Sequence, residues 1–291
     1  MIDENGGIME DIENPVDLRD EIFNGIADRA VTAAIIADDG GILSGTAAAT
    51  TKAGELGLSV EKMMEEGSEV KEGDEIARFT GTPKQIALAE ENLIGLLAKP
   101  SGVATAAHNF VKVAGKKPKV VCGAWKKMPP ADKEAIRQAV VTGGVSYRIT
   151  EGPFVYLDKN YIEMLGGIRE SIEAVSQLAA ERTVVVQLKG RYSSIIKEAL
   201  EAVECGAGIL FVDTGVPLDF MEVAFELERA GLRKKVKIAF GGNLELKDVR
   251  NIKKDKFGIE IVDIGKRIVD APLLDMRLEV IPVVENEGNE A

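Results

Sequence analysis

Residues 235–265 hold the clearest chemical signal in the chain. Lys235–Gly242 (KVKIAFGG) and Glu260–Gly265 (EIVDIG) are short apolar strands that each end in glycine, with a helix-like segment, Leu244–Lys256, between them. Glycine just past a buried strand lets backbone approach a ligand closely and frees N–H groups to point at an anion. Two such cups on the last strands of a β/α series are where α/β barrels hold a phosphate. Gly241, Gly242 and Gly265 are therefore read as a site for a phosphorylated small molecule. Ordinary strand-to-helix turns are the competing reading, because Gly-rich turns occur in any α/β fold.

In parallel α/β folds ligands gather at the carboxyl ends of the strands. Those ends carry Trp125, Lys126 and Lys127, then Tyr147 and Arg148, then Asp158, Lys159 and Asn160. Gln187 and Lys189, Asp213 and Thr214, Gly241 to Asn243, and Gly265 to Arg267 follow. Lys126, Arg148, Lys159, Lys189, Lys266 and Arg267 could neutralise several phosphate charges. Asp213 offers an oxygen ligand suited to Mg²⁺, which binds through one or two carboxylates plus substrate phosphates. Each residue also has a plainer role: solvated charge for Lys126 and Lys127, a structural ion pair for Arg148, a helix cap for Asp213. Trp125 is either packing or a flat wall for an aromatic ring. His108, in a helical stretch, is read as structural.

The elements that must position these residues fall into two textures. From about residue 15 to 100, short apolar stretches alternate with Gly, Asp and Glu turns, as in Ala33–Ala37 before Asp38-Asp39-Gly40-Gly41 and Glu75–Gly81 after Glu72-Gly73-Asp74. This predicts a small β-rich module with a helix or two. Apolar spacing predicts a helix over Pro83–Leu97, an interruption at Pro100-Ser101-Gly102, and a second helix over Val103–Ala114. From Lys119 a β/α rhythm begins. Strands are predicted at Lys119–Ala124, Gly144–Ile149, Phe154–Leu157, Thr183–Leu188, Gly208–Asp213, Lys235–Phe240 and Glu260–Gly265. Helices are predicted at Pro130–Thr142, Tyr161–Ala180, Ser193–Cys205, Leu218–Ala230 and Leu244–Lys256. Strands such as TVVVQL and GILFV, apolar on both faces, belong to a parallel sheet covered by helices. Six or seven of them suggest a barrel or a doubly wound sheet.

Composition narrows the function. The chain has 291 residues and a formal net charge of −12, from 36 Lys and Arg against 48 Asp and Glu. That argues against a general nucleic-acid or membrane-surface binder while allowing a local basic pocket. The two cysteines, Cys122 and Cys205, lack metal-type spacing and read as buried free thiols. A single histidine rules out a His-cluster metal site. No apolar run reaches membrane-spanning length and no signal-like segment opens the chain, so it reads as cytoplasmic. The acidic ends, Met1–Asn14 and Glu285–Ala291, read as solvated tails.

Five segments carry a family resemblance. They are Ser101-Gly102-Val103-Ala104-Thr105 (S-G-I-A-T in the family), Gly143-Gly144-Val145-Ser146-Tyr147-Arg148 (G-G-V-N-H-R), Leu210-Phe211-Val212-Asp213 (I-M-L-D), Phe240-Gly241-Gly242 (S-G-G) and Asp263-Ile264-Gly265 (S-V-G). In this order and spacing the chain resembles the type II phosphoribosyltransferases of quinolinate, the nicotinate-nucleotide pyrophosphorylases (carboxylating), and their molybdenum-transport-associated relatives. The resemblance implies an α/β fold: an open α/β sandwich over residues 1–102, then an incomplete α/β barrel over 103–271, with 272–291 returning to the first domain. It implies a homodimer, or assembly of dimers, in which one subunit's first domain covers its partner's barrel mouth. It implies 5-phosphoribosyl-1-diphosphate (PRPP) and an aromatic acid as substrates, with Mg²⁺ as cofactor. Joining quinolinate to PRPP, with loss of diphosphate and CO₂, is a step of NAD biosynthesis.

Carried over residue by residue, the resemblance assigns catalytic roles to Lys126, Arg148, Lys159 and Asp213, the last also the metal ligand. Glu91, Trp125, Tyr147, Gln187, Phe240, Gly241, Gly242 and Gly265 fall at substrate-binding positions. Several depart from the family: an arginine falls at Glu91, the arginine of T-R-K-T at Trp125, the histidine of N-H-R at Tyr147, and a glutamate at Gln187. The lysine of I-K-D-N-H is shifted to Lys159. Replacing an arginine by Glu91 in a dicarboxylate site reverses a contact of roughly 4 kcal/mol at about 4 Å and an effective dielectric near 20. The expectation is a preserved phosphoribosyl half beside a rebuilt ring half. Two other readings stay open: a non-catalytic nucleotide or phosphoribosyl-ligand binder, and an unrelated barrel enzyme using Lys189 as a Schiff-base lysine.

Overall fold

The computed structural model describes residues 17–254 and 258–282, so the tails and the last two positions of the Leu244–Lys256 helix lie outside the described residues. The β-rich module is built from β1 (Val31–Ala37), β2 (Gly41–Ile42), β3 (Ser59–Met63), β4 (Glu69–Val70) and β5 (Glu75–Gly81). β1 pairs antiparallel with β5, Ala33 facing Phe79, and β5 pairs with β3. β2 and β4 form a separate two-stranded ribbon. The inward faces bury Ile35, Ile76 and Phe79 against Leu93 and Leu97 of a long helix.

That helix runs unbroken from Pro83 to Ala114, which corrects the predicted interruption at Pro100–Gly102. A proline inside a helix leaves the carbonyl four residues earlier without its donor. Here that carbonyl is Leu96 O, and the backbone of Gly45 lies against it so closely that a Cβ there would stand 2.1 Å away. Ser101 is clipped to the same loop, its Oγ accepting from Ser44 N at 2.8 Å. Gly102 admits the carbonyl of Pro272, which would lie 1.9 Å from any Cβ. Proline and glycine here serve packing on a continuous helix, whose first half joins one core and whose second half joins the other.

The second region contains β6 (Lys119–Val121), β7 (Phe154–Leu157), β8 (Thr183–Leu188), β9 (Ile209–Val212), β10 (Lys237–Gly241) and β11 (Ile261–Asp263). They form one parallel sheet in the order β6-β11-β10-β9-β8-β7, wrapped by helices and not closed into a barrel. The predicted strand Gly144–Ile149 shrinks to one bridge, Ser146 to Val121, at the open edge. The predicted helix Tyr161–Ala180 is three short helices, Lys159–Leu165, Ile168–Ala174 and Ser176–Ala179. Gly166 and Gly167, at φ of 92° and 149°, end the first and reorient the chain. β12 (Met276–Ile281) then returns to the first sheet beside β1.

Candidate functional site

Alternation along the parallel strands decides which side chains reach the mouth. Val121, Val185, Ile209, Phe211, Ala239 and Ile261 share one inner cluster, while Val186, Val212, Phe240 and Val262 pack outward under the helices. Continuing the inner parity past the strand ends reaches Gly123, Asp158, Gln187, Lys189, Asp213, Asp263 and Gly265. All of them line one cavity of about 710 Å³ at the carboxyl ends of the sheet.

Asp213 is fixed by two neighbours. Gln187 Nε2 donates to its Oδ2 at 2.6 Å, and Lys189 Nζ lies 2.8 Å from the same oxygen. Lys189 Nζ also donates to the Asp213 carbonyl. Gln187 Oε1 accepts from Lys159 N at 2.9 Å. The amide thus satisfies a donor on one side and an acceptor on the other, whereas a glutamate would set a second carboxylate against Asp213. The loop after β8 is held by Glu198, buried, which accepts from the amides of Lys189, Gly190 and Tyr192 at 3.2, 2.8 and 2.9 Å. With Lys189 clamped on Asp213, it serves as an anchor, and nothing in its surroundings marks a Schiff-base lysine.

At the phosphate side, backbone packs on backbone. Gly215 N donates to Gly241 O at 2.9 Å. Gly242, at φ 113°, would place a Cβ 2.3 Å from Gly215 N. Only glycine accommodates both demands. Gly242, Asn243, Gly265 and Lys266 line the cavity there. Next to it, past the end of β6, Trp125 and Tyr147 stand edge to face with centroids 6.4 Å apart, and Trp125 Nε1 donates to Tyr147 O at 3.2 Å. The Arg137 guanidinium lies 4.0 Å over the Trp125 ring. Lys126, Lys127, Lys159, Lys189, Arg191 and Lys266 bring six cations to a mouth with three carboxylates, on a chain that is acidic overall.

The cavity gathers Lys126, Lys159, Asp213, Trp125, Tyr147, Gln187, Gly242 and Gly265 from the sequence-derived set. Four others lie elsewhere. Arg148 faces a separate cleft of about 530 Å³ with Lys116 and Glu151, stacked 5.3 Å over Phe154. Phe240 has the outward parity and is fully buried, 4.8 Å from Phe220. Gly241 is buried beside Phe211, whose ring would meet a Cβ at 2.8 Å. Glu91 sits on the long helix away from this chain's own mouth, ion-paired with Arg19.

Asp263, a motif position in the sequence, has the inward parity of Ile261 and lines the cavity. Gly123 N donates to its Oδ1 at 2.9 Å, and burial raises its pKa from 3.8 to about 6. Arg191 carries no comparable signal, since its place depends on the Glu198 contacts. Cys122 is buried, which pushes its thiol up to about 12 and leaves no reactive thiolate.

Among the described residues no group of three or more His, Cys, Asp or Glu side chains is placed to hold a metal. Asp213 can give one carboxylate oxygen, the rest coming from substrate phosphates and water. That donor set fits Mg²⁺ arriving with a diphosphate.

Family models for quinolinate phosphoribosyl transferase match in two consecutive parts, the N-terminal domain over residues 17–101 and the C-terminal domain over 103–279. The chain belongs to this family. It is 28% identical over 258 residues to a probable nicotinate-nucleotide pyrophosphorylase [carboxylating] of Archaeoglobus fulgidus, covering 88% of this chain and 96% of that one. It is 26% identical over 258 residues to the human nicotinate-nucleotide pyrophosphorylase [carboxylating], covering 86% and 84%. The crystal structure of nicotinate-nucleotide pyrophosphorylase from Pyrococcus furiosus superposes with a TM-score of 0.78 at 21% identity, covering 91% of this chain and 73% of that one. This last likeness concerns the fold alone. No described helix is long and apolar enough to cross a membrane.

Proposed function

We propose that the chain is a phosphoribosyltransferase that joins C1 of PRPP to a ring nitrogen of a heteroaromatic substrate and releases diphosphate. Quinolinate is the substrate named for the family, and with it the ring carboxyl would leave as CO₂. The observation that carries the reading is the convergence of six cations on a glycine-walled mouth at the carboxyl ends of the parallel strands. Gly242 and Gly265, with Lys266, would take the 5-phosphate. Lys126 and Lys159 would face the diphosphate. Asp213, held by Gln187 and Lys189, would orient the ribose hydroxyls and contribute to Mg²⁺, whose chemistry there is to offset the diphosphate charge. As C1 becomes cation-like and diphosphate leaves, preorganised charge of this kind supplies most of the catalysis.

Trp125, Tyr147 and the carboxylate of Asp263 favour a flat ring with less negative charge than quinolinate. A homodimer in the cytoplasm is part of the proposal: Tyr147 at the rim is 38% exposed, as suits a mouth awaiting a partner's cover. The test is diphosphate release from PRPP and Mg²⁺ with quinolinate, nicotinate and other heteroaromatic rings. PRPP-dependent nucleotide formation, with quinolinate among the poorer rings, supports the proposal. Ordinary turnover of quinolinate contradicts the rebuilt ring half. PRPP binding without turnover of any ring contradicts catalysis and leaves a phosphoribosyl-ligand binder.

A further inference from the structure

Three carboxylates line the mouth, and each leaves one oxygen without a partner among the described residues. Asp158 caps the helix Lys159–Leu165, its Oδ1 accepting from Asn160 N at 2.8 Å and Tyr161 N at 3.1 Å. Asp213 is clamped through Oδ2 by Gln187 and Lys189. Asp263 has the fewest partners: its Oδ1 takes the Gly123 amide alone, and it forms no ion pair among the described residues.

The position of Asp263 is informative. Gly123 lies two residues before Trp125, so the bond that fixes Asp263 also anchors the foot of the aromatic wall. The inner cluster, including Val121 and Phe211, fills the concave face of the sheet beneath it, with Tyr156 packed against that cluster. Tyr156 and Phe211 stand 6.3 Å apart. A carboxylate at an apolar floor, with an oxygen free for a ligand, accepts hydrogen bonds and repels anions. The family motif has serine at this position, which carries no charge.

We infer that Asp263 selects the ring: the second substrate presents an N–H donor, from a ring nitrogen, an amino group or a carboxamide, to Asp263 Oδ2, and a ring carboxylate is rejected there. The inference rests on the mouth being a phosphoribosyltransferase site. It adds a substrate class to that reading, a neutral heteroaromatic with a donor edge.

Trp125 is the only tryptophan in the chain, so its emission reports on a ring placed beside it. The experiment titrates nicotinamide and nicotinate, which differ by amide against carboxylate, into the full chain, after calorimetry with ribose 5-phosphate. The inference predicts that nicotinamide binds at least about tenfold tighter than nicotinate, the scale of one charge-assisted hydrogen bond gained against one repulsion. In Asp263→Asn the ratio should shrink to about threefold or less because nicotinate improves, with Asp263→Ser behaving alike should the first variant fold poorly. Equal affinities in the unsubstituted chain, a preference for nicotinate, or equal weakening of both rings by substitution would overturn it. So would ribose 5-phosphate binding with no ring binding, which leaves the phosphate reading standing. Failure of ribose 5-phosphate itself to bind overturns both.

Discussion

On the β9–β11 side of the mouth, main chain meets main chain: Gly215 bonds to Gly241 O, and Gly242 has no room for a Cβ. On the β6 side, side chain meets side chain: Trp125 lies under Arg137 and against the edge of Tyr147. A surface made of backbone changes only when the fold changes. A surface made of side chains can be replaced residue by residue while the strands stay in place. This contrast gives a physical reason why the glycines match the family motifs while Trp125 and Tyr147 depart from them. The phosphate half is constrained by packing whatever its ligand; the ring half is constrained only by its ligand.

The strongest way to break the comparison is Gly242→Ala. A side chain at φ 113° with a neighbour at 2.3 Å should cost about 3 kcal/mol or more, lower the Tm by several degrees and abolish phosphate binding. If the variant melts and binds like the parent, the phosphate half is not backbone-limited.

Asp263→Asn sharpens the comparison from the ring side. The carboxyl holds its proton up to about pH 6 in the folded chain but only to about 3.8 otherwise. The folded state therefore binds more protons between these values, and stability falls as pH rises through them. Asparagine carries no such penalty. The variant should be more stable than the parent by about 3 kcal/mol at pH 8, with the difference gone near pH 3.5, as read by denaturant titration at both pH values. A destabilised variant at pH 8 would show that the charge is compensated by groups the geometry does not reveal.

Glu91→Ala should have the smallest effect. Its partner is Arg19 on an exposed surface, where ion pairs contribute little. Tm should stay within error, and the affinity for ribose 5-phosphate should not change. A change in ring preference alone would place Glu91 at a partner's mouth.

Much of this was legible in the chain. Parallel strands announced themselves as apolar on both faces, and their ends named most of the rim. Period-two parity was also available and would have sent Phe240 outward and brought Asp263 inward. Other features were not readable. Pro100 and Gly102 look like a break, and only the approach of Gly45 and Pro272 from distant loops explains their place in a continuous helix. Arg148 follows Tyr147 directly, yet the Ser146 bridge at the open edge turns it toward Phe154. These outcomes depend on contacts between segments far apart in sequence, which local pattern does not encode.

The most direct measurement is a calorimetric titration of the full chain with ribose 5-phosphate, followed by crystallography of the complex. The account predicts saturable binding with the phosphate against Gly242, Asn243, Gly265 and Lys266. Absence of binding, or a phosphate seated outside that mouth, would contradict it.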